Sequence, residues 1–285
     1  MWAGRYESMP RFAANLHYLF TEVPFLERFG HAARAGFRGV EFQVPYDHPA
    51  PVLRDALDEN GLEMVLFDAP MGDWGRGDRG LACVPGRERE FREGLHRALE
   101  VASVLSCPTV HVMAGVVPPG MDVARCEELY VDNIRHAAGF FALHGVSVVI
   151  EPINPRFGVV EGGAAYTTQG MRGYFLNTSA QAAALLARVD HPNAWLHLDC
   201  YHMQILEGNL AETLRRHLPR LRHLQIAGVP GRHEPDRGEI HYPYLFALLD
   251  ELGYEGWIGC EYRPRAGTLE GLGWARPYGL GPGRA

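Results

Sequence analysis

Four stretches of the chain run from apolar residues into a group that can hold a proton or a cation. Val148-Val149-Ile150 leads into Glu151, Leu196-His197-Leu198 into Asp199, His223-Leu224 into Gln225, and Ile258-Gly259-Cys260 into Glu261. A single acid in such a place commonly caps the next helix or pairs with an arginine. Four in succession imply more. Gathered at one mouth, three carboxylates would be desolvated and would repel one another, a cost that a bound cation removes. Three carboxylates and an amide oxygen are a hard, oxygen-rich set. Glu151, Asp199, Gln225 and Glu261 are therefore expected to ligate a divalent cation, Mg2+ or Mn2+.

Three further residues are expected at the same mouth as substrate contacts. His202 follows Asp199 in Asp-Cys-Tyr-His, at the start of the next loop, from which it can turn back as a contact or proton carrier. Arg232 lies in the charged segment Gly231-Arg232-His233-Glu234-Pro235-Asp236-Arg237. It reads either as part of a solvated turn or as a fork for a substrate carboxylate. His111, in Val110-His111-Val112-Met113-Ala114-Gly115, suits a core position and a mouth position equally.

The elements that must position these groups follow from hydrophobic period. Strands are expected over residues 12–16, 39–44, 63–68, 109–114, 146–153, 195–199, 223–227 and 258–262. Helical spacing recurs between them: Phe91, Leu95, Ala98, Ala102 and Leu105 share one face, as do Ala182, Leu185, Leu186 and Val189. Leu210, Leu214, Leu218 and Leu221 read as a further helix, and Asn60-Gly61, His144-Gly145 and Leu252-Gly253 as helix stops. Eight strands alternating with helices imply parallel pairing through right-handed crossovers. The count of eight, and no GxGxxG after the first strand, favour a closed (β/α)8 TIM barrel over an open doubly wound sheet. Residues 9–275 are expected to form this single domain, after an extension over 1–8 and before a Gly/Pro-rich tail over 276–285. The long connections 68–87 and 154–177 both follow strands, which puts them on the barrel face where active sites sit.

Composition removes whole classes of chemistry. All 27 basic residues are arginine, so chemistry that needs a lysine amine is excluded: Schiff-base aldolases, anchored pyridoxal phosphate, Walker-type phosphate binding. A net charge of -7 opposes nucleic-acid binding. Five dispersed cysteines without a CxxC pair read as reduced thiols, and with no secretory signal or long apolar run the expectation is a cytoplasmic protein without membrane contact. No HExxH or GxSxG occurs, so a zinc protease or serine hydrolase elbow is unsupported.

Together these motifs resemble the hydroxypyruvate isomerase family within the xylose-isomerase-like barrels. The resemblance rests on Glu151-Pro152-Ile153-Asn154, Asp199-Cys200-Tyr201-His202-Met203-Gln204, His223-Leu224-Gln225-Ile226-Ala227-Gly228 and Gly259-Cys260-Glu261-Tyr262. It extends from about Met9, through Gly36-Phe37-Arg38-Gly39-Val40-Glu41-Phe42, to about Trp274. It implies a (β/α)8 barrel with Glu151 and Glu261 as the two catalytic glutamates and Asp199 and Gln225 beside them as candidate metal ligands. Val110-His111-Val112-Met113-Ala114-Gly115 and Gly271-Leu272-Gly273-Trp274 are also similar to the related 2-oxo-tetronate isomerases. Residues 157–170 look like an insertion, read either as a lid or as a segment peculiar to this sequence. The resemblance implies a small hydroxy-oxo acid isomerised through an enediolate, with no organic cofactor, and leaves a homo-oligomer open. A ketose 3-epimerase shares the barrel and acid pair; a non-catalytic sugar-acid binder would need the pocket but not two glutamates.

Overall fold

The computed structural model describes residues 10–156 and 171–281. The expected extension over 1–8, the segment 157–170 and the last four tail residues lie outside the described residues. Eight parallel strands close into a barrel in sequence order. They are β1 (Arg11–Asn15), β2 (Gly39–Glu41), β3 (Glu63–Asp68), β4 (Thr109–His111), β5 (Ser147–Ile150), β6 (Ala194–Asp199), β7 (Leu221–Ile226) and β8 (Trp257–Cys260), with β8 pairing back onto β1. Around them run helices α1 (Glu27–Arg34), α2 (Ala50–Asn60), α3 (Glu88–Leu105), α4 (Val123–Ala142), α5 (Ser179–Val189), α6 (Cys200–Leu206), α7 (Leu210–His217), α8 (Tyr242–Glu251) and the short α9 (Thr268–Gly271).

The helix faces read from spacing are the buried ones. Phe91, Leu95, Ala98, Ala102 and Leu105 of α3 are buried, as are Ala182, Leu185, Leu186 and Val189 of α5. Gly61 closes α2 in the left-handed conformation at φ 60°. The leucine series from 210 to 221 is not one helix. Pro219 lacks the N–H that an α-helix needs, so α7 ends at His217, a 3₁₀ turn covers Leu218–Arg220, and Leu221 already belongs to β7.

Several strands stop short of the expected run. β2, β4, β5 and β8 end at Glu41, His111, Ile150 and Cys260, and the next residues turn over the mouth. Glu151 and Glu261 therefore sit one residue past the ladder rather than in it. At the strand-start end, Trp195 and Trp257 pack with Ala13, Val65, Leu66 and Val149 and fill the lumen. Gly39 makes room for that plug, since a Cβ there would lie 2.7 Å from the Trp257 ring. Past α9, a 3₁₀ helix over Leu272–Tyr278 brings Trp274 and Tyr278 onto Phe12 of β1 and Phe246 of α8. Leu280 is buried beyond it. No described helix is long and apolar enough to cross a membrane.

Candidate active site

The strand ends converge on a cavity of about 1020 Å³ whose walls include His17, Tyr18, Asp68, Arg79, His111, Glu151, His197, His202, Gln225, Arg232, Glu261 and Arg263. At its floor Arg232 joins two of the expected acids. Its Nη2 lies 2.9 Å from Asp199 Oδ2 and 2.9 Å from Glu261 Oε1, and all three side chains are buried. Asp199 does two jobs at once. Its Oδ1 caps α6 by accepting from the Tyr201 N–H at 2.9 Å, while Oδ2 faces the arginine. Arg232 holds a left-handed φ of 53°, a strained conformation for a side chain with a Cβ, within a turn tied to the next loop through Arg263 N–H to Arg232 O. The guanidinium expected as a fork for a substrate carboxylate lines the cavity and is engaged there by two carboxylates of the protein.

Glu151 stands apart from that pair and faces imidazoles. Its Oε2 is 3.9 Å from His111 Nε2 and 3.8 Å from His197 Nδ1. The far side of each ring fixes its tautomer. Asp68 Oδ1 accepts from His111 Nδ1 at 2.9 Å, across the Asp68–His111 register of β3 and β4. Gln225 Nε2 donates to Glu41 Oε1 at 2.7 Å, so its amide oxygen faces His197 Nε2 at 2.8 Å and accepts from it. Both rings thus turn a bare nitrogen towards Glu151, and neither of those buried nitrogens has a hydrogen-bond partner. His111 is a mouth residue. Gln225 lines the cavity, and its side chain is engaged by His197 and Glu41 rather than by Glu151, Asp199 or Glu261.

His202 lies in α6 rather than in a loop. Asn154 Nδ2 stands 2.6 Å from its Nδ1, and Asn154 Oδ1 accepts from the Arg156 N–H at 3.1 Å, which fixes the amide orientation. The amide donates to Nδ1, so the proton of His202 is on Nε2, 3.6 Å from Asp199 Oδ2. His202 is an N–H donor aimed at the site.

Burial raises the proton affinity of Glu151, Asp199 and Glu261. Desolvation, with Glu261 and Asp199 nearby, pushes the Glu151 carboxyl well above its ordinary range. Desolvation raises Glu261 to about 8, Arg232 opposing it and Asp199 adding to it, and Asp199 is raised as well. Desolvation holds His197 and His202 well below the ordinary imidazole value, so both are neutral. Protonatable carboxyls beside neutral imidazoles are the equipment of proton transfer.

Among the described residues, two buried groups have ligand atoms close enough to share an ion: His111, Glu151 and His197, and Glu151, Asp199 and His202. The first fits a divalent metal best, because its two ring nitrogens carry lone pairs with nothing else to bind. In the second, His202 presents a proton. Neither group includes Glu261 or Gln225 of the expected set.

Three residues that carry this arrangement escaped the sequence reading as functional groups. Glu41, buried at the end of β2, accepts from Asn15, His223 and Gln225 at 3.0, 2.6 and 2.7 Å. Asp68 holds His111, and His197 supplies a bare nitrogen. Glu41 and Asp68 end apolar strands just as Asp199 does, so the same signal was there to find them.

Comparison with known proteins agrees with this architecture. Residues 29–278 match the profile of a family described as xylose isomerase-like TIM barrel. The chain is similar to 2-oxo-tetronate isomerase of Cupriavidus necator, with 52% identity over 270 residues, 95% of this chain and 99% of that protein. It is similar to hydroxypyruvate isomerase of Escherichia coli at 41% identity, over 95% of this chain and 100% of the relative. Among solved structures, one described as AP endonuclease, family 2, from Brucella melitensis superposes with a TM-score of 0.88 at 48% identity, covering 95% and 99% of the two chains.

Proposed function

This chain belongs to the xylose isomerase-like TIM barrel family and is an isomerase of it, and from that premise we propose that it shifts the carbonyl of a short hydroxy-oxo acid between adjacent carbons. The observation that carries the reading is the pair Glu151 and Glu261: two buried acids on one cavity, each with raised proton affinity, one beside imidazoles and one beside Arg232. With hydroxypyruvate, one carboxylate takes a proton from C3 and the C3–H electrons form the C2=C3 bond of an enediolate. The other carboxyl gives a proton to C2 while the O3 proton passes to O2, leaving tartronate semialdehyde. No oxidant is needed, because C3 is oxidised as C2 is reduced. The His202 N–H stabilises negative charge on the shifting oxygens, while Arg232 holds Asp199 and Glu261 in place.

His111, Glu151 and His197 would hold a divalent cation, which would supply polarisation of the substrate oxygens. The imidazoles favour Mn2+ over Mg2+ within the expected pair. Greater identity to the 2-oxo-tetronate isomerase favours a four-carbon acid over hydroxypyruvate. A net charge of -7 opposes the phosphodiester chemistry named for the Brucella melitensis structure. Buried free thiols at Cys83, Cys107, Cys126, Cys200 and Cys260 support a reducing, cytoplasmic setting. The test assays hydroxypyruvate, 2-oxo-tetronates and abasic DNA on one preparation, with and without chelator, the oxo acids also in D2O. Turnover of an oxo acid with solvent deuterium in the product is expected. Absence of both, or cleavage of the DNA alone, overturns the reading.

A further inference from the structure

The commitment of Arg232 leaves the anionic end of the substrate without a receptor on the cavity floor. Four arginines line the cavity: Arg79, Arg172, Arg232 and Arg263. Arg172 and Arg263 are exposed and make no side-chain hydrogen bond among the described residues, so ordering either around a ligand costs side-chain entropy. Arg79 is already ordered. Its guanidinium lies 3.5 Å over the Trp74 ring, and its Nη1 donates to the Trp74 and Asp78 carbonyls at 3.1 and 2.6 Å. No carboxylate lies within 4.0 Å of it among the described residues, and Asp78, its neighbour, is engaged by Arg87 at 3.1 Å. Nε and Nη2 thus remain as a planar pair of donors on a fixed cation.

The loop that carries Arg79 is built as a rim. Gly80 N–H bonds Met71 O at 2.9 Å and closes the loop on itself, while Asp73 N–H bonds Asp78 Oδ2 at 2.8 Å. Gly80 also bridges Ala114, and the Cys83 N–H bonds Ala114 O at 2.8 Å, three residues past His111. This contact needs glycine: φ at Gly80 is +103°, and a Cβ there would sit 2.3 Å from Met113 O. Arg79 is therefore anchored one residue from the point where the rim meets the strand end bearing His111.

Resting on the isomerase reading above, we propose that Arg79, stacked on Trp74, receives the carboxylate of the hydroxy-oxo acid and selects acids over neutral sugars. Arg79 lines the same cavity as Glu151 and Glu261, so the carboxylate and the reacting carbons would share one chamber.

Calorimetric binding of glycerate, a three-carbon acid that this reaction cannot isomerise, is compared with hydroxypyruvate kinetics in Arg79→Gln, Arg79→Lys and Arg76→Gln. Arg76 lies on the same loop outside the cavity wall. Arg79→Gln is expected to weaken glycerate binding and raise KM about tenfold or more, with kcat changed by less than about threefold. Arg79→Lys should restore part of the loss, and Arg76→Gln should match wild type. Glycerate affinity within about twofold of wild type in folded Arg79→Gln overturns the proposal. So does an equal loss in Arg76→Gln, or wild-type protein that does not bind glycerate. Wild type that binds glycerate yet turns over neither oxo acid refutes the isomerase reading instead, and the Arg79 comparison is still decided by binding.

Discussion

Glu151 and Glu261 are chemically alike but sit against different partners, and their variants should separate accordingly. Glu151→Gln and Glu261→Gln keep side-chain shape and remove the exchangeable proton, so each should lower kcat about 10²–10⁴-fold with the barrel intact. Near-normal turnover in either variant removes that residue from the mechanism. The bare nitrogens of His111 and His197 make a second prediction at this scale. Wild-type protein should bind Mn2+ in equilibrium dialysis, and His111→Ala and His197→Ala should each weaken that binding about 10-fold or more. Unchanged retention in both variants would leave the imidazoles as plain hydrogen-bond partners. Asp68→Asn acts through His111 and should show a smaller loss.

At the scale of elements, strand β8 must pass close to the acid at the end of β2. A Cβ on Gly259 would lie 2.3 Å from a Glu41 oxygen, so the strand carries glycine where a carboxylate network crosses the lumen. Gly259→Ala should displace Glu41 from Asn15, His223 and Gln225 and destabilise the protein by about 1–3 kcal/mol, read from the denaturant midpoint. A midpoint equal to wild type would mean that β8 shifts freely, against the close pairing of Gln225 with Gly259. Helix α6 shows how one element joins fold and chemistry: the Asp199 side chain starts the helix and also faces Arg232, and the first turn then carries His202. The capping reading of that acid and its pairing with an arginine hold at once.

For the whole molecule, three buried acids with raised proton affinity make stability depend on pH. Glu261 holds its proton to about 8 in the folded protein against an ordinary 4.5. Its contribution is therefore complete below about pH 4.5 and is lost as pH rises through about 8. Metal-free wild type should lose melting temperature across that window, and Glu261→Gln should lose less. Equal slopes would mean that Arg232 keeps Glu261 ionised throughout. Mn2+ should raise the wild-type melting temperature in a concentration-dependent way, because it binds the assembled site and not the unfolded chain. The closing segment matters at this scale too. Truncation after Gly271 removes the Trp274 and Tyr278 rings from Phe12 and Phe246 and should lower the melting temperature sharply.

The sequence by itself determined the class of fold and the barrel face that three of its acids reach. Alternating apolar runs and helix faces demand parallel strands and crossovers, and Glu151, Asp199 and Glu261 end or directly follow strands whose direction fixes that face. Local periodicity could read all of this because it depends on neighbours a few positions away. It failed where a proline broke a leucine series, at Leu218 and Leu221, because spacing alone cannot see a missing N–H. Tertiary structure decided the partners. Arg232 pairs with Asp199 and Glu261, and Gln225 turns to His197 and Glu41, through contacts between residues 28 to 184 positions apart. Such pairings depend on barrel closure and on which oxygen or nitrogen is left over once each donor is satisfied. No one-dimensional pattern holds that information, and it is what gives each polar strand end its partner in the cavity.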